Sequence, residues 1–171
     1  MMEASQSVPE LVAAAQASVK VSEEHVSEIL KLMDGQNASD AQIEELRTAT
    51  VAIELAAVDI FSLFEARMQH HFKRGPFSRK LKSLLLEAGE IDLAGRVQQY
   101  YLTVNVLKHG KGASYRELLN GPSWPFVVTS AEDVIADETR PAAGLIDVSV
   151  SGFFDGLTKT ILEAHQFLES R

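Results

Sequence analysis

The sequence of 171 residues contains no cysteine and only five histidines. Disulfide bonds and thiolate metal sites are therefore excluded. No pair of histidines, and no glutamate with a histidine, has the His-x₃-His or Glu-x-x-His spacing that places two metal ligands on one helix face. We therefore expect no metal site. Walker and Rossmann glycine patterns are also missing, and we expect no cofactor.

Long apolar runs are missing as well. No segment approaches the roughly 18 consecutive apolar residues of a membrane span, and the N-terminus has no basic region followed by an apolar core. We therefore expect a cytoplasmic protein without membrane contact. With 46% apolar residues, the chain is long enough to form one domain with a substantial core.

The charge is unevenly distributed along the chain. The net charge is −8, yet residues 67–116 (the basic region) contain ten basic and only three acidic side chains. Positive charge gathered in this way can bind phosphate groups even when the whole chain is acidic. The alternative is a solvated basic face that pairs with the acidic remainder of the fold or with an acidic protein partner.

Apolar residues recur at spacings of three and four over most of the chain, which predicts an all-α, mainly up-and-down bundle of about five helices. We expect residues 8–171 to form the single domain and residues 1–7 to be a flexible tail. Ser39 and Gln42 have the spacing of a capping box. The helix that follows is about 50 Å long if it continues to Phe72. This is long for a single domain of this size, so a kink or a break is the alternative to a continuous helix.

Residues 121–148 lack a regular pattern, and we expect an irregular insert there. Within it, residues 126–129 and 145–148 are apolar enough to be short strands. An insert of this length is typical of a lid, a partner surface or a mobile segment.

The most site-like feature is the helix predicted to end at Gly110, which suits the position after a helix C-terminus. A polar stripe borders its apolar face and consists of Gln98, Tyr101, Asn105 and His109. Asn105 and His109 lie one turn apart on the same side. In a plainer interpretation, both side chains bond to the last carbonyl groups of the helix, and a charged His109 complements the helix dipole.

Segments 77–89, 91–93 and 104–109 together resemble the HEPN superfamily of small helical bundles, and in particular its mannitol-repressor-like branch. HEPN ribonucleases carry Arg-Asn, three further residues and then His on the penultimate long helix. Asn105 and His109 match the Asn and the His of that motif, and Val104 occupies the position of the Arg. The resemblance covers roughly residues 40 to 165.

The resemblance implies a homodimer and two alternative functions. One is a metal-independent, toxin-like ribonuclease in which His109 is the general acid or base and Asn105 orients it or holds a phosphate oxygen. The other is a non-catalytic binding module, such as a transcriptional or toxin–antitoxin regulator, that contacts a nucleotide, RNA or a protein through the basic region. Because Val104 supplies no cation to the charged transition state, we expect the binding module rather than an enzyme. A purely structural or assembly role is the third hypothesis.

The candidate binding residues lie on the polar stripe and elsewhere in the basic region: Gln98, Tyr101, Lys108, Lys111, Tyr115, Arg116, His70, Lys73 and Arg74. Neighbouring residues point about 100° apart on a helix, so we do not expect His70 and His71 to face one ligand. A solvated helix end is the alternative interpretation of the sequence around His70.

Overall fold

The computed structural model describes residues 7–33, 39–110, 112–120, 146–149 and 152–171, of which 86% are helical and none is in a strand. The helices are α1 (Val8–Met33), α2 (Asp40–Met68), α3 (Phe77–Glu87), α4 (Ile91–His109), α5 (Ala113–Asn120) and α6 (Phe153–Glu169). A short 3-10 turn, Gln69–His71, follows α2. The predicted all-α bundle is confirmed, with six described helices instead of about five.

Most of the predicted irregular insert at 121–148 and the predicted tail at 1–7 lie outside the described residues. The same is true of the strand predicted at 126–129. The strand predicted at 145–148 is described only from residue 146 onwards. The described segment 146–149 contains a turn and no strand.

The ends of the helices follow the signals in the sequence. The Ser39 hydroxyl accepts a hydrogen bond from the Gln42 amide nitrogen at 3.1 Å, and the Gln42 side chain accepts one from the Ser39 amide nitrogen at 3.0 Å, so the capping box is confirmed. Gly110 follows α4 with φ +74°, a conformation that favours glycine. Helix α2 is unbroken over its 29 residues, and its backbone tightens only in the 3-10 turn that follows it.

Helix α4 lies at the centre of the bundle and contacts α2, α3, α5 and α6. Nine of its 19 residues are buried. The Tyr100 hydroxyl donates to the Phe153 carbonyl oxygen at 3.2 Å, and the Arg96 guanidinium lies 2.5 Å from the Glu163 carboxylate. Since earlier residues of α4 meet later residues of α6, the two helices are antiparallel.

Helices α1 and α2 pack against each other, and α1 also contacts α6. The Gln16 side-chain amide donates to the Thr158 hydroxyl at 3.0 Å across the contact between α1 and α6. The apolar face of α2 that turns inward is fully buried at Ile53, Ala57 and Phe64. No described helix is both long enough and apolar enough to cross a membrane.

Gly156 allows α6 to approach the ring of Tyr100. A Cβ atom at Gly156 would collide with the Tyr100 hydroxyl, whereas a Cβ atom at Gly95, also inside a helix, would have no neighbour within 4 Å. Alanine is a better helix former than glycine by about 1 kcal/mol. We therefore expect Gly95→Ala to raise the free energy of unfolding by about 0.5–1 kcal/mol. Gly156→Ala should lower it by about 1–3 kcal/mol because overpacking outweighs helix propensity.

Urea unfolding of the two variants beside the wild type measures both changes. Equal stabilisation by the two substitutions would contradict the close approach of α6 to Tyr100.

Candidate functional site

A groove of about 330 Å³ lies between α3, α4 and the first turns of α5, and we call it the α3–α5 groove. Its lining contains two cations, one anion, a tyrosine and two polar side chains among smaller apolar ones: Pro76, Arg79, Lys82, Gln98, Tyr101, Leu102, Ala113, Ser114 and Glu117. It brings residues from three helices together, and two of these residues belong to the polar stripe predicted from the sequence.

Helix α4 contributes half-buried polar side chains to the groove. Gln98, Tyr101 and Asn105 are half-buried and lie on one side of α4, next to the buried Leu102. The Asn105 side-chain amide donates to the Ser114 hydroxyl at 3.3 Å, which ties α4 to the first turn of α5 beside the groove. Three members of the predicted stripe therefore lie in the groove or at its edge.

The contribution of α3 is positive charge. Phe77, Leu81 and Leu85 are buried at helical spacing, which turns Arg79 and Lys82, three residues apart, towards the flank of α3 that lines the groove. The sequence placed both residues in the basic region but did not single them out. Their i, i+3 spacing places them on one flank of α3, but the sequence does not show which element that flank faces.

The N-terminus of α3 adds to this positive potential. Its N-cap position is Pro76, which makes no side-chain hydrogen bond to the first turn, and the first turn contains no acidic residue. The free amide groups and the positive end of the helix dipole are therefore not neutralised by a side chain of that turn.

His109 does not line the groove. It is the last residue of α4 and is exposed, as is Lys108. Tyr101, which does line the groove, precedes it by eight residues, or about 12 Å along the helix axis. Val104 is 2% exposed and belongs to the core, as its position on the apolar face predicted.

The remaining predicted binding residues are scattered. Tyr115 is 3% exposed and packs in the core through α5, so its ring is not available to a ligand. Arg116 is exposed on α5, and Lys73 and Arg74 are exposed between α2 and α3; none of the three lines the groove. Lys111 lies outside the described residues.

Two carboxyl groups of α2 have raised pKa values. Burial raises the pKa of Glu65, an effect that the nearby Lys108 ammonium partly offsets. Burial raises the pKa of Glu54 to about 7. Neither residue lines the α3–α5 groove, so these shifts do not set the charge of the groove.

His70 and His71 lie closer together than the sequence argument allowed. Their ring centroids are 4.2 Å apart, and Glu169, at the end of α6, approaches His71 with a distance of 3.4 Å from Oε1 to Nε2. The expected 100° divergence describes where the side chains leave the backbone. Rotation about χ1 and χ2 then decides where the rings lie.

Comparison with known proteins identifies no relative: no protein-family model, no curated protein and no solved structure matches the chain. The candidate function is therefore argued from the groove itself.

Proposed function

We propose that this protein is a non-catalytic, HEPN-like module that binds single-stranded RNA in the α3–α5 groove and acts as a homodimer. The observation that carries the proposal is the meeting of Arg79 and Lys82 with the half-buried Tyr101 in one groove. Cations and an aromatic ring are the two elements that sequence-tolerant binding of single-stranded nucleic acid needs.

The cations would hold the phosphate backbone. A guanidinium binds two phosphate oxygens at once, and a lysine ammonium adds a mobile point charge. The uncapped N-terminus of α3, close to Arg79, provides backbone amide groups of the kind that bind anions. Glu117 is the one acidic residue of the lining, so the groove keeps a positive balance.

The α4 and α5 walls would hold the base and the sugar. Tyr101 offers a ring on which a base can stack, and such stacking is worth about 1–3 kcal/mol per base. The Gln98 amide and the Ser114 hydroxyl can both donate and accept hydrogen bonds, as recognition of a base edge or a ribose 2′-hydroxyl requires. A volume of about 330 Å³ is at the small end of ligand pockets, which suits one nucleotide of a longer strand.

A charge-matched pair of double variants tests the RNA site. Arg79→Ala/Lys82→Ala removes both groove cations, and Lys20→Ala/Lys31→Ala removes two exposed cations of α1. We expect the groove variant to weaken binding of a labelled oligouridine at least about tenfold at low salt, because even one charge-assisted contact at the low end of about 1.5–3 kcal/mol corresponds to about tenfold. The slope of log K against log salt should fall by about 1.4, or 0.7 per lost contact.

Fluorescence anisotropy across a salt series gives both quantities. The α1 variant should bind as the wild type does. Equal losses in the two variants, or no binding by the wild type at low salt, would show that the groove is not an RNA site.

In the ribonuclease alternative, the position that holds the arginine of the motif supplies no cation. Val104 is in the core, and Arg96 is paired with Glu163. Arg79 and Lys82 line the groove together with Tyr101. Tyr101 itself lies about 12 Å along α4 from His109. Removing one group that stabilises a transition-state charge costs about 10²–10³ in rate, so a histidine without such a group is a poor catalyst of phosphodiester cleavage.

We accordingly expect no ribonuclease activity that depends on His109. Wild type and His109→Ala, purified in the same way, are incubated with unstructured RNA in the presence of a metal chelator, and the products are resolved by gel and mass spectrometry. Both preparations should leave the RNA intact. Cyclic-phosphate products from the wild type, but not from His109→Ala, would make the protein an enzyme instead.

Helix α2 supports the homodimer. Opposite its buried face, it carries a second stripe of small and apolar residues at spacings of three and four, interrupted by one charge: Thr48, Val51, Ala52, Leu55, Asp59, Ser62, Leu63 and Ala66. Leu55 is 59% exposed on this stripe. A helix that is apolar on opposite sides is typically covered on both. In a two-fold dimer the second copy presents the identical surface, so it supplies a weakly charged partner of the same length.

Leu55→Asp places a second charge in the middle of this stripe and should prevent self-association. The wild type is expected to sediment at twice the monomer mass of 18.7 kDa and Leu55→Asp at the monomer mass. Val21→Asp, at a similarly exposed apolar position of α1, is the control and should remain dimeric. A wild type that stays monomeric at micromolar concentration would remove the dimer from the proposal.

A further inference from the structure

We propose that His70, His71 and Glu169 bind one divalent transition-metal ion, such as Zn²⁺, at the junction between the 3-10 turn after α2 and the end of α6. Each of the three side chains offers one donor atom, and the three atoms lie within 4.8 Å of one another. This site is independent of the α3–α5 groove, whose lining includes none of the three residues.

The spacing of the donor atoms is close to that of a bound ion. Two ligands of a tetrahedral Zn²⁺ with bonds of 2.0–2.1 Å are about 3.3 Å apart. The His71 Nε2 and Glu169 Oε1 atoms, 3.4 Å apart, already have this separation. His70 has to move by at most about 1.5 Å to complete the set. It is exposed, and the ring that it contacts is that of His71, another of the proposed ligands.

A backbone contact fixes the tautomer of His70. Its Nδ1 atom lies 2.9 Å from the Arg67 carbonyl oxygen. Because a carbonyl oxygen only accepts, Nδ1 carries the hydrogen and Nε2 keeps its lone pair for a ligand. Metal-binding histidines usually have such a second hydrogen bond, which orients the ring and raises its basicity as a ligand.

The donor set favours borderline transition metals over Mg²⁺ and Ca²⁺. Two imidazoles and one carboxylate suit Zn²⁺, Co²⁺ and Ni²⁺, whereas Mg²⁺ and Ca²⁺ prefer oxygen ligands throughout. Three protein ligands leave a fourth position for water. Lys73 and Arg74 follow closely in the sequence and repel a cation, so we expect affinity in the micromolar range and not tighter.

Titration of untagged protein with Co²⁺ and with Zn²⁺ tests the site. We expect one ion per chain by calorimetry and visible d–d bands when Co²⁺ binds. His71→Ala and Glu169→Gln should each lower the metal affinity by more than about tenfold. Removing a residue that only hydrogen-bonds to a metal ligand already costs about 10- to 100-fold, and a ligand itself should cost at least as much. His25→Ala is the matched control: His25 is also exposed and also lies near a carboxylate, with a distance of 3.8 Å from Nε2 to the Glu45 Oε2 atom.

Thermal unfolding provides a second measurement. A metal ion that bridges the 3-10 turn and α6 binds only the folded chain, so Zn²⁺ at 100 times its Kd should raise the Tm of the wild type by about 5–10 °C. The Tm of Glu169→Gln should rise by no more than about half as much at the same concentration. The proposal is overturned by the absence of saturable binding up to millimolar metal, or by a loss of affinity in His25→Ala equal to that in His71→Ala.

Discussion

Burial of α4 on most of its sides is the constraint on which the rest of the structure depends. Four helices pack around it, and even its Thr103 is buried, with the hydroxyl donating to the Gln99 carbonyl oxygen at 2.8 Å. Close packing of this kind requires space on the neighbouring helices, which Gly156 provides opposite Tyr100. It also leaves α4 only a narrow polar strip, and that strip becomes a wall of the groove.

This constraint explains which parts of the site could be predicted from the sequence. Apolar periodicity identifies the buried side of α4, so the polar strip beside it, including Gln98, Tyr101 and Asn105, follows directly. The core position of Val104 follows from the same pattern. The cations of α3 could not be chosen in this way, because ten basic residues lie between residues 67 and 116. Only the packing of Leu81 and Leu85 decides that Arg79 and Lys82 face α4.

Three residues, Tyr115, His70 and His71, show where local reasoning misleads. Tyr115 lies close to the polar stripe in the sequence and resembled a ligand contact, but it and Leu118 are three residues apart and are both buried by α5. That spacing was the signal of a core position. The prediction that His70 and His71 do not face one ligand considered only the backbone and ignored side-chain rotation. Glu169 approaches them only because α6 ends beside the 3-10 turn. Glu169 is 98 positions from His71 in the sequence, so only the tertiary structure shows that the two residues are close.

The distribution of charge relates the groove to the rest of the molecule. Residues 1–66 contain three basic and twelve acidic side chains, so α1 and α2 repel a polyanion while the α3–α5 groove attracts it. Repulsion over most of the surface and attraction at one groove would restrict the orientation in which the proposed RNA ligand approaches. The apolar stripe of α2 lies on a helix that contributes no residue to the groove. The proposed self-association through α2 and the proposed ligand binding through α3, α4 and α5 therefore use different elements. A dimer formed in this way would carry two grooves, which would bind one strand more tightly than either groove alone.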